Sequence, residues 1–542
     1  MQVAPPFLAC LLWGGMFLPV AFAQEDASPL EAGPHVVGFQ SYVLLDGERL
    51  YRTAWDDGET YGQAESPRPI LVNLWYPANK EGAPAPMVYG EYFALAPQQS
   101  ELAAWAESLS TYAADVASEE MLALEREYFD LEEKRVWDRF GDLPTWARPQ
   151  AEALPGPFPY VVFHSGNGSS YEDNAWLCEY LASHGYVVLG SAYPKADGSS
   201  WAIDARADSV LDMEFLSRHA QSLPQVGDMP GAFGGHSAGA QATLRARMRA
   251  DCSAQSVFLL DSTLDYYTPA IPTFRYLMEP ITEQADAFVG PMLVTAGHEA
   301  FFALCDKMTN AARTYVTYPE LSHNEYISQG VQRLMLLRWL AEARPEPELK
   351  QELAREPEVR RQYVALCHTV RLFLDATLKG KTEAYDAQCT TWASNLPGAP
   401  EPYAVHVPVG SSQAAAWTLE SKHAPMPRQI QTLLAQQGMD GLLAALEAHV
   451  NDHPRGPAYT SGMLMGSMLF DLAQAKRIEE AQRLHQWLLE HGLDTQGTFR
   501  FLGFMSKLVG ATQDARHILD MALLVDPENE KTRMERQALG EE

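Results

Sequence analysis

The sequence predicts an α/β fold: a mostly parallel sheet flanked by helices, carrying a helical insertion and followed by an all-α, repeat-like region. Three observations predict it. Short apolar runs such as Tyr160 to Phe163 are bounded by turn signals, as strands buried on both faces are. Helical sequence alternates with those runs between about residues 160 and 320. From about residue 412 onward the pattern is helical throughout. At 542 residues the chain is also too long for one ordinary core.

The first 28 residues, MQVAPPFLACLLWGGMFLPVAFAQEDAS, hold an apolar run ending in Ala21-Phe22-Ala23. This pattern predicts a signal peptide over 1–23, cleaved after Ala23, and hence an exported protein, periplasmic or secreted. No Lys or Arg precedes the run, so an uncleaved anchor is the alternative. No later segment reaches the ~18 apolar residues of a membrane span, so none is expected after cleavage. Of the cysteines beyond the signal, Cys178, Cys252, Cys305, Cys367 and Cys389, none forms a C-x-x-C pair. Neither a zinc site nor a redox motif is therefore expected.

Residues 24–395 are assigned to the α/β domain. Asp46-Gly47 between apolar runs predicts a hairpin turn, and RPILVNLWYPA (68–78) a strand. A helical insertion is expected over about 90–150. There Leu102, Trp105, Leu109, Tyr112 and Val116 step by three and four, as do Met121, Leu124, Tyr128 and Leu131. The YVVF strand follows, then helical EDNAWLCEYLASHG, the strand YVVLGSAY and a helix over 201–222. SVFLLDS, PMLVTAG and RTYVTYPE are three further strands, and 325–388 are largely helical. Pro397, Pro400, Pro402 and Pro408 mark a linker over 396–411.

Residues 412–542 show a faint repeat. Ala481 and Ala515 are 34 residues apart (515 − 481 = 34), and Phe499, Leu502, Gly503, Leu519, Ala522 and Pro527 fit around the second. That period resembles a tetratricopeptide repeat. Such hairpins offer a groove for a protein partner and carry no chemistry of their own.

The formal net charge of −30 would repel phosphate backbones and anionic surfaces, which argues against a nucleic-acid partner. It leaves a neutral or zwitterionic substrate open.

Chemistry is concentrated at Gly235-His236-Ser237-Ala238-Gly239. The Gly-x-Ser-x-Gly pattern becomes a nucleophile's turn when a strand precedes it, a helix follows, and an acid and a histidine come later. AQATLRARMRA supplies the helix, whereas DMPGAF is a weak strand because of Pro230 and Gly231. A hydroxyl needs a base to take its proton, and His323 in YPELSHNEY stands in the right order. For the acid, Asp261 closes SVFLLD and Glu299 closes PMLVTAGHE, with Asp265 a weaker third choice. Oxyanion donors would be the Ala238 N–H and, from the glycine-rich HSGNG loop, the Asn167 N–H.

Together, FPYVVFHSGNGSSYEDNAWLCEYLASHGYVVLGSAY, GGHSAGA, SVFLLDSTLDY and PELSHNEY resemble the platelet-activating-factor acetylhydrolase branch of the α/β hydrolases, close to the dienelactone-hydrolase-like enzymes. The likeness covers roughly residues 36–390. It implies an α/β-hydrolase fold and lipid or small-molecule ester hydrolysis without metal or cofactor. It also implies Ser237, Asp261 and His323 as the catalytic set, which favours Asp261 over Glu299. The family's His-Gly-x-Gly loop falls on Ser165 to Gly168, with serine in place of histidine and His164 one position earlier. The expected activity is therefore that of an exported serine ester hydrolase. A serine peptidase could use the same residues, and a binding protein built on a retired hydrolase domain is the reading from another class.

Overall fold

The computed structural model describes residues 28–540 except 51–52, 55–59, 62–66, 95–138, 167–170, 194–204, 250, 263, 265–270, 298–301, 303, 344–346, 396–400, 412–425, 453–461, 493–494 and 509. The expected signal segment lies outside these residues, as do residues 95–138 of the expected helical insertion. Of the described part of that stretch, Tyr89–Ala94 form a 3-10 helix and Ala147–Pro149 a strand, so the insertion is not helical to its end. Among the described residues, no helix is long and apolar enough to cross a membrane.

Ten strands form one sheet: β1 (Val36–Leu50), β2 (Pro67–Ala78), β3 (Ala147–Pro149), β4 (Tyr160–His164), β5 (Val187–Gly190), β6 (Gly231–His236), β7 (Ala254–Leu260), β8 (Met292–Ala296), β9 (Arg313–Thr317) and β10 (Tyr403–Val407). Their spatial order is β10-β9-β8-β7-β6-β4-β5-β2-β1-β3. The block from β5 to β9 is parallel; β2 pairs antiparallel with β5 and β1, β10 antiparallel with β9, and β1 parallel with the edge strand β3. Parallel strands need covered faces. Accordingly every residue of β4, β5, β6, β8 and β9 is buried.

Helices supply the two covers. On one face lie α1 (Ala175–Ser183), α5 (Ser328–Ala343), α6 (Pro347–Lys379) and α7 (Glu383–Ala393), packing Trp176, Leu181, Leu337 and Phe373 onto the sheet. On the other lie α2 (Ala205–Ser222), α3 (Ala238–Met248) and α4 (Pro272–Glu283), burying Met213, Leu216, Leu244 and Met278. Among the described residues the chain ends in the helical segments α8 (Met426–Asp452, broken at Gly438 by its φ of 69°), α9 (Gly462–Gln474), α10 (Ile478–Glu490), α11 (Gln496–Leu508), α12 (Thr512–Val525) and α13 (Glu530–Ala538). Ala481 and Ala515 occupy the same place near the start of α10 and α12, and both are fully buried. Helices α11 and α12 pack on α4, so this region shares a continuous apolar core with the sheet's second cover.

Two expectations are corrected. Asp46-Gly47 is not a hairpin turn, because β1 continues through it and its register against β2 shifts between Asp46 and Leu50. The Asp46 carboxylate accepts from the Glu48 N–H at 3.0 Å and from Arg49 Nε at 2.6 Å, which stabilises a bulge in place of a reversal. The Pro-rich stretch 396–411 is not only a linker. Its residues Tyr403 to Val407 form the edge strand β10, antiparallel to β9. An edge strand tolerates flanking prolines because one side of its ladder is open.

Cutting the chain after Asn395 removes β10 and uncovers α4. Burial of Tyr403 and Val407 is worth on the order of 2 kcal/mol each. The expected result is a markedly lower melting temperature or insolubility, checked by thermal unfolding against the full chain.

Candidate active site

Ser237 sits on the turn between β6 and α3. The strand looked weak in sequence because of Pro230 and Gly231. Its glycines are what the packing requires: a Cβ on Gly231 would lie 2.1 Å from the Tyr160 ring, and one on Gly234 would lie 2.0 Å from Phe258. A central strand between β4 and β7 thus forms against its local propensity. The turn is sharp, with Ser237 at φ 54° and ψ −119°. This is a strained conformation for a residue with a Cβ. It is held by the Ser237 N–H donating to Leu260 O at 3.0 Å. Strand and helix can approach this closely only without side chains at Gly235 and Gly239. A Cβ on Gly235 would stand 2.3 Å from the Gly239 carbonyl carbon.

Gly239 also seats the loop after β4, since its Cβ would stand 2.1 Å from His164 O and 2.4 Å from Ser165 O. Both obstacles are backbone atoms and cannot rotate aside. Gly239→Ala is expected to cost about 1–3 kcal/mol of stability by overpacking. It should also depress turnover further by displacing the loop, which parallel measurement of melting temperature and kcat would show.

Asp261 follows β7 at φ 46° and is buried, with 1% of its side chain exposed. Its N–H donates to Thr295 O at 3.0 Å. His323 opens a short 3-10 turn after β9, His323–Tyr326. Eighty-six residues of chain separate it from Ser237, yet its Nε2 lies 3.0 Å from Ser237 Oγ. Its Nδ1 lies 2.5 Å from Asp261 Oδ2. A carboxylate accepts, so Nδ1 carries the proton and Nε2 presents its lone pair to the serine hydroxyl.

The turn carrying His323 is clamped from three sides. Glu325 and Ser322 form a capping box, the carboxylate accepting from the Ser322 N–H at 2.7 Å. Arg355 of α6 donates to Glu325 Oε2 at 3.1 Å and to Glu320 O at 2.9 Å. Gly330 lets α5 close on this turn, for a Cβ there would stand 2.0 Å from Asn324 O. Beneath it, Asn174 Oδ1 accepts from Ser328 N–H at 3.1 Å and from Tyr363 Oη at 2.7 Å, joining α1, α5 and α6.

His236, the residue before the serine, is buried. Its Nε2 donates to the main-chain oxygen of His323 at 3.0 Å, and the two rings stand 4.7 Å apart. Burial, with a smaller contribution from the charge His323 can carry, pushes the His236 imidazole down to about 3. His236 is thus a neutral donor near neutral pH.

Ala238 is the first residue of α3, and its N–H belongs to the helix turn that has no intrahelical acceptor. Asn167, Glu299 and Asp265 lie outside the described residues. The His164 ring stacks on Tyr193 at 3.8 Å and 6°, and its Nδ1 donates to Ser165 O at 2.6 Å. Tyr193 Oη in turn donates to Phe163 O at 2.9 Å, so the stack braces the strand end that leads into the glycine loop.

The structure therefore brings Ser237, Asp261 and His323 together. No family model matches the chain, and no curated protein matches it. Among solved structures it is similar to a ferulic acid esterase from Streptomyces cinnamoneus, at 17% identity and a TM-score of 0.40, over 66% of this chain and 94% of that one.

Sequence reading did not find the roles of His236, Glu325 and Arg355. For His236 the only signal was its place inside the Gly-x-Ser-x-Gly pattern. Glu325 was visible as a capping-box residue, Ser322 to Glu325, but its partner Arg355 lies on a separate helix.

Proposed function

We propose that the chain is a serine ester hydrolase of the α/β-hydrolase fold. One observation carries the reading: the unbroken hydrogen-bonded line from Ser237 Oγ through His323 to buried Asp261, at 3.0 and 2.5 Å. The strand order supports it as well, with the serine turn at the carboxyl end of a central parallel strand, the acid after the next strand and the histidine after the last parallel one.

In this mechanism Ser237 Oγ attacks the ester carbonyl while His323 Nε2 takes its proton. Asp261 keeps the proton on Nδ1 and balances the imidazolium that forms. The oxyanion accepts from the Ala238 N–H, with the Asn167 N–H as the second donor. His323 then protonates the leaving alcohol, and the acyl group remains on Ser237. Water, deprotonated by His323, attacks the acyl-enzyme, and as the acid is released His323 returns that proton to Ser237 Oγ. The protein's own residues account for every proton moved.

The finer reading follows the family resemblance: an exported acetylhydrolase-type enzyme acting on small ester or lipid substrates. In it the C-terminal helices form a tetratricopeptide-like region open to a protein partner. A fluorophosphonate probe tests the core proposal. Covalent label mapped to Ser237 by peptide mass spectrometry is the expected result, and an unlabelled Ser237 in folded protein would refute it.

A further inference from the structure

We infer that His236 is a positioning residue for His323, acting through the main-chain carbonyl of that residue. The inference rests on the Ser237–His323–Asp261 reading and deepens it. His236 and Ser237 are consecutive, so one residue presents the hydroxyl and its neighbour grips the backbone of the base. His323 is reached at its two ring nitrogens by Ser237 and Asp261, and at its carbonyl by His236 at 3.0 Å. The other clamps act elsewhere on the turn, at Ser322, Asn324 and Glu325. Beside the Ser237–His323 bond itself, the bond from His236 ties the elbow to the main chain of the turn bearing the base.

The geometry explains why an imidazole stands there. A carbonyl only accepts, so the group must be a donor, and it must cross from the end of β6 to the turn after β9. A ring does this with two rotatable bonds and fills the buried space beside the His323 ring. A lysine or arginine would donate too, but it would set a permanent cation beside the imidazolium that forms at His323. Neutral His236 avoids that repulsion.

The test compares His236→Gln, His236→Asn and His236→Leu in the full chain. kcat is expressed per active site titrated with fluorophosphonate, and melting temperatures are measured in parallel. Gln places its amide nitrogen close to the position of Nε2, whereas Asn is too short and Leu has no donor. The expected result is kcat near wild type for Gln and a loss of roughly 10- to 100-fold for Asn and Leu, with KM changed less than about twofold. A simple loss of packing would lower the melting temperature and the number of titratable sites, yet leave kcat per site intact. Wild-type kcat per site in Asn or Leu would overturn the inference. Equal impairment of Gln and Asn at matched melting temperatures would overturn it too, because the donor would then not matter. Should Leu fail to fold, the Gln and Asn pair decides alone. Ser237→Ala serves as the control: retained turnover there would refute the underlying mechanism, whereas retained turnover confined to the His236 variants removes only the positioning role.

Discussion

Ser237→Ala is expected to abolish turnover of short-chain aryl esters and labelling by fluorophosphonate, with a melting temperature close to wild type. Removing a serine nucleophile from such a set costs on the order of 10⁶-fold in kcat. The fold should not notice, for two reasons. Alanine keeps the same backbone and Cβ at φ 54°, so the strain of the turn is unchanged. The side chain is only half-buried, and the bond it loses is that to His323 Nε2. Substitutions at such positions shift stability by about 0.5 kcal/mol or less. Esterase activity surviving in Ser237→Ala would show that the hydroxyl is not the nucleophile.

Asp261→Asn is expected to lower kcat by about 10⁴-fold with little change in the fold. The amide has the shape of the carboxylate, and asparagine tolerates the φ of 46° better than most residues. What changes is the proton. An NH₂ group 2.5 Å from Nδ1 would donate to it and drive the tautomer with the hydrogen on Nε2. That nitrogen then faces Ser237 Oγ with a donor and cannot accept its proton. Glu299→Gln provides the contrast and should change kcat only modestly, because Asp261 already occupies Nδ1. A dead Glu299→Gln variant beside a nearly normal Asp261→Asn would transfer the role of the acid to Glu299.

Several of these residues were legible in the sequence, and the reason is local. Gly234, Gly235 and Gly239 around Ser237 announce a tight strand–helix approach whatever the rest of the chain does. The apolar runs at 160, 187, 256, 291 and 313 announce strands buried on both faces, and all five are strands. The order serine, acid, histidine was likewise readable. Nothing local separates Asp261 from Glu299, since each closes an apolar run, and only the family resemblance favoured Asp261.

Tertiary structure decided the remainder. Pro230-Gly231 reads as a break, yet β6 starts there because its neighbours β4 and β7 leave room only for glycine. Tyr403 to Val407 lies in a Pro-rich stretch and becomes a strand because β9 has an open edge to pair with. Asp46-Gly47 reads as a hairpin turn and becomes a bulge because β2 continues alongside it. The sequence by itself determined which segments can be buried and where a sharp turn can form, since both depend on residue type and spacing. Which of those segments meet was decided only by the fold. Contacts such as Asp261 with His323, His236 with the carbonyl of His323, and Arg355 with Glu325 join positions 62, 87 and 30 residues apart. No local propensity spans such distances, and only the packed sheet with its two helical covers brings these partners within hydrogen-bond reach.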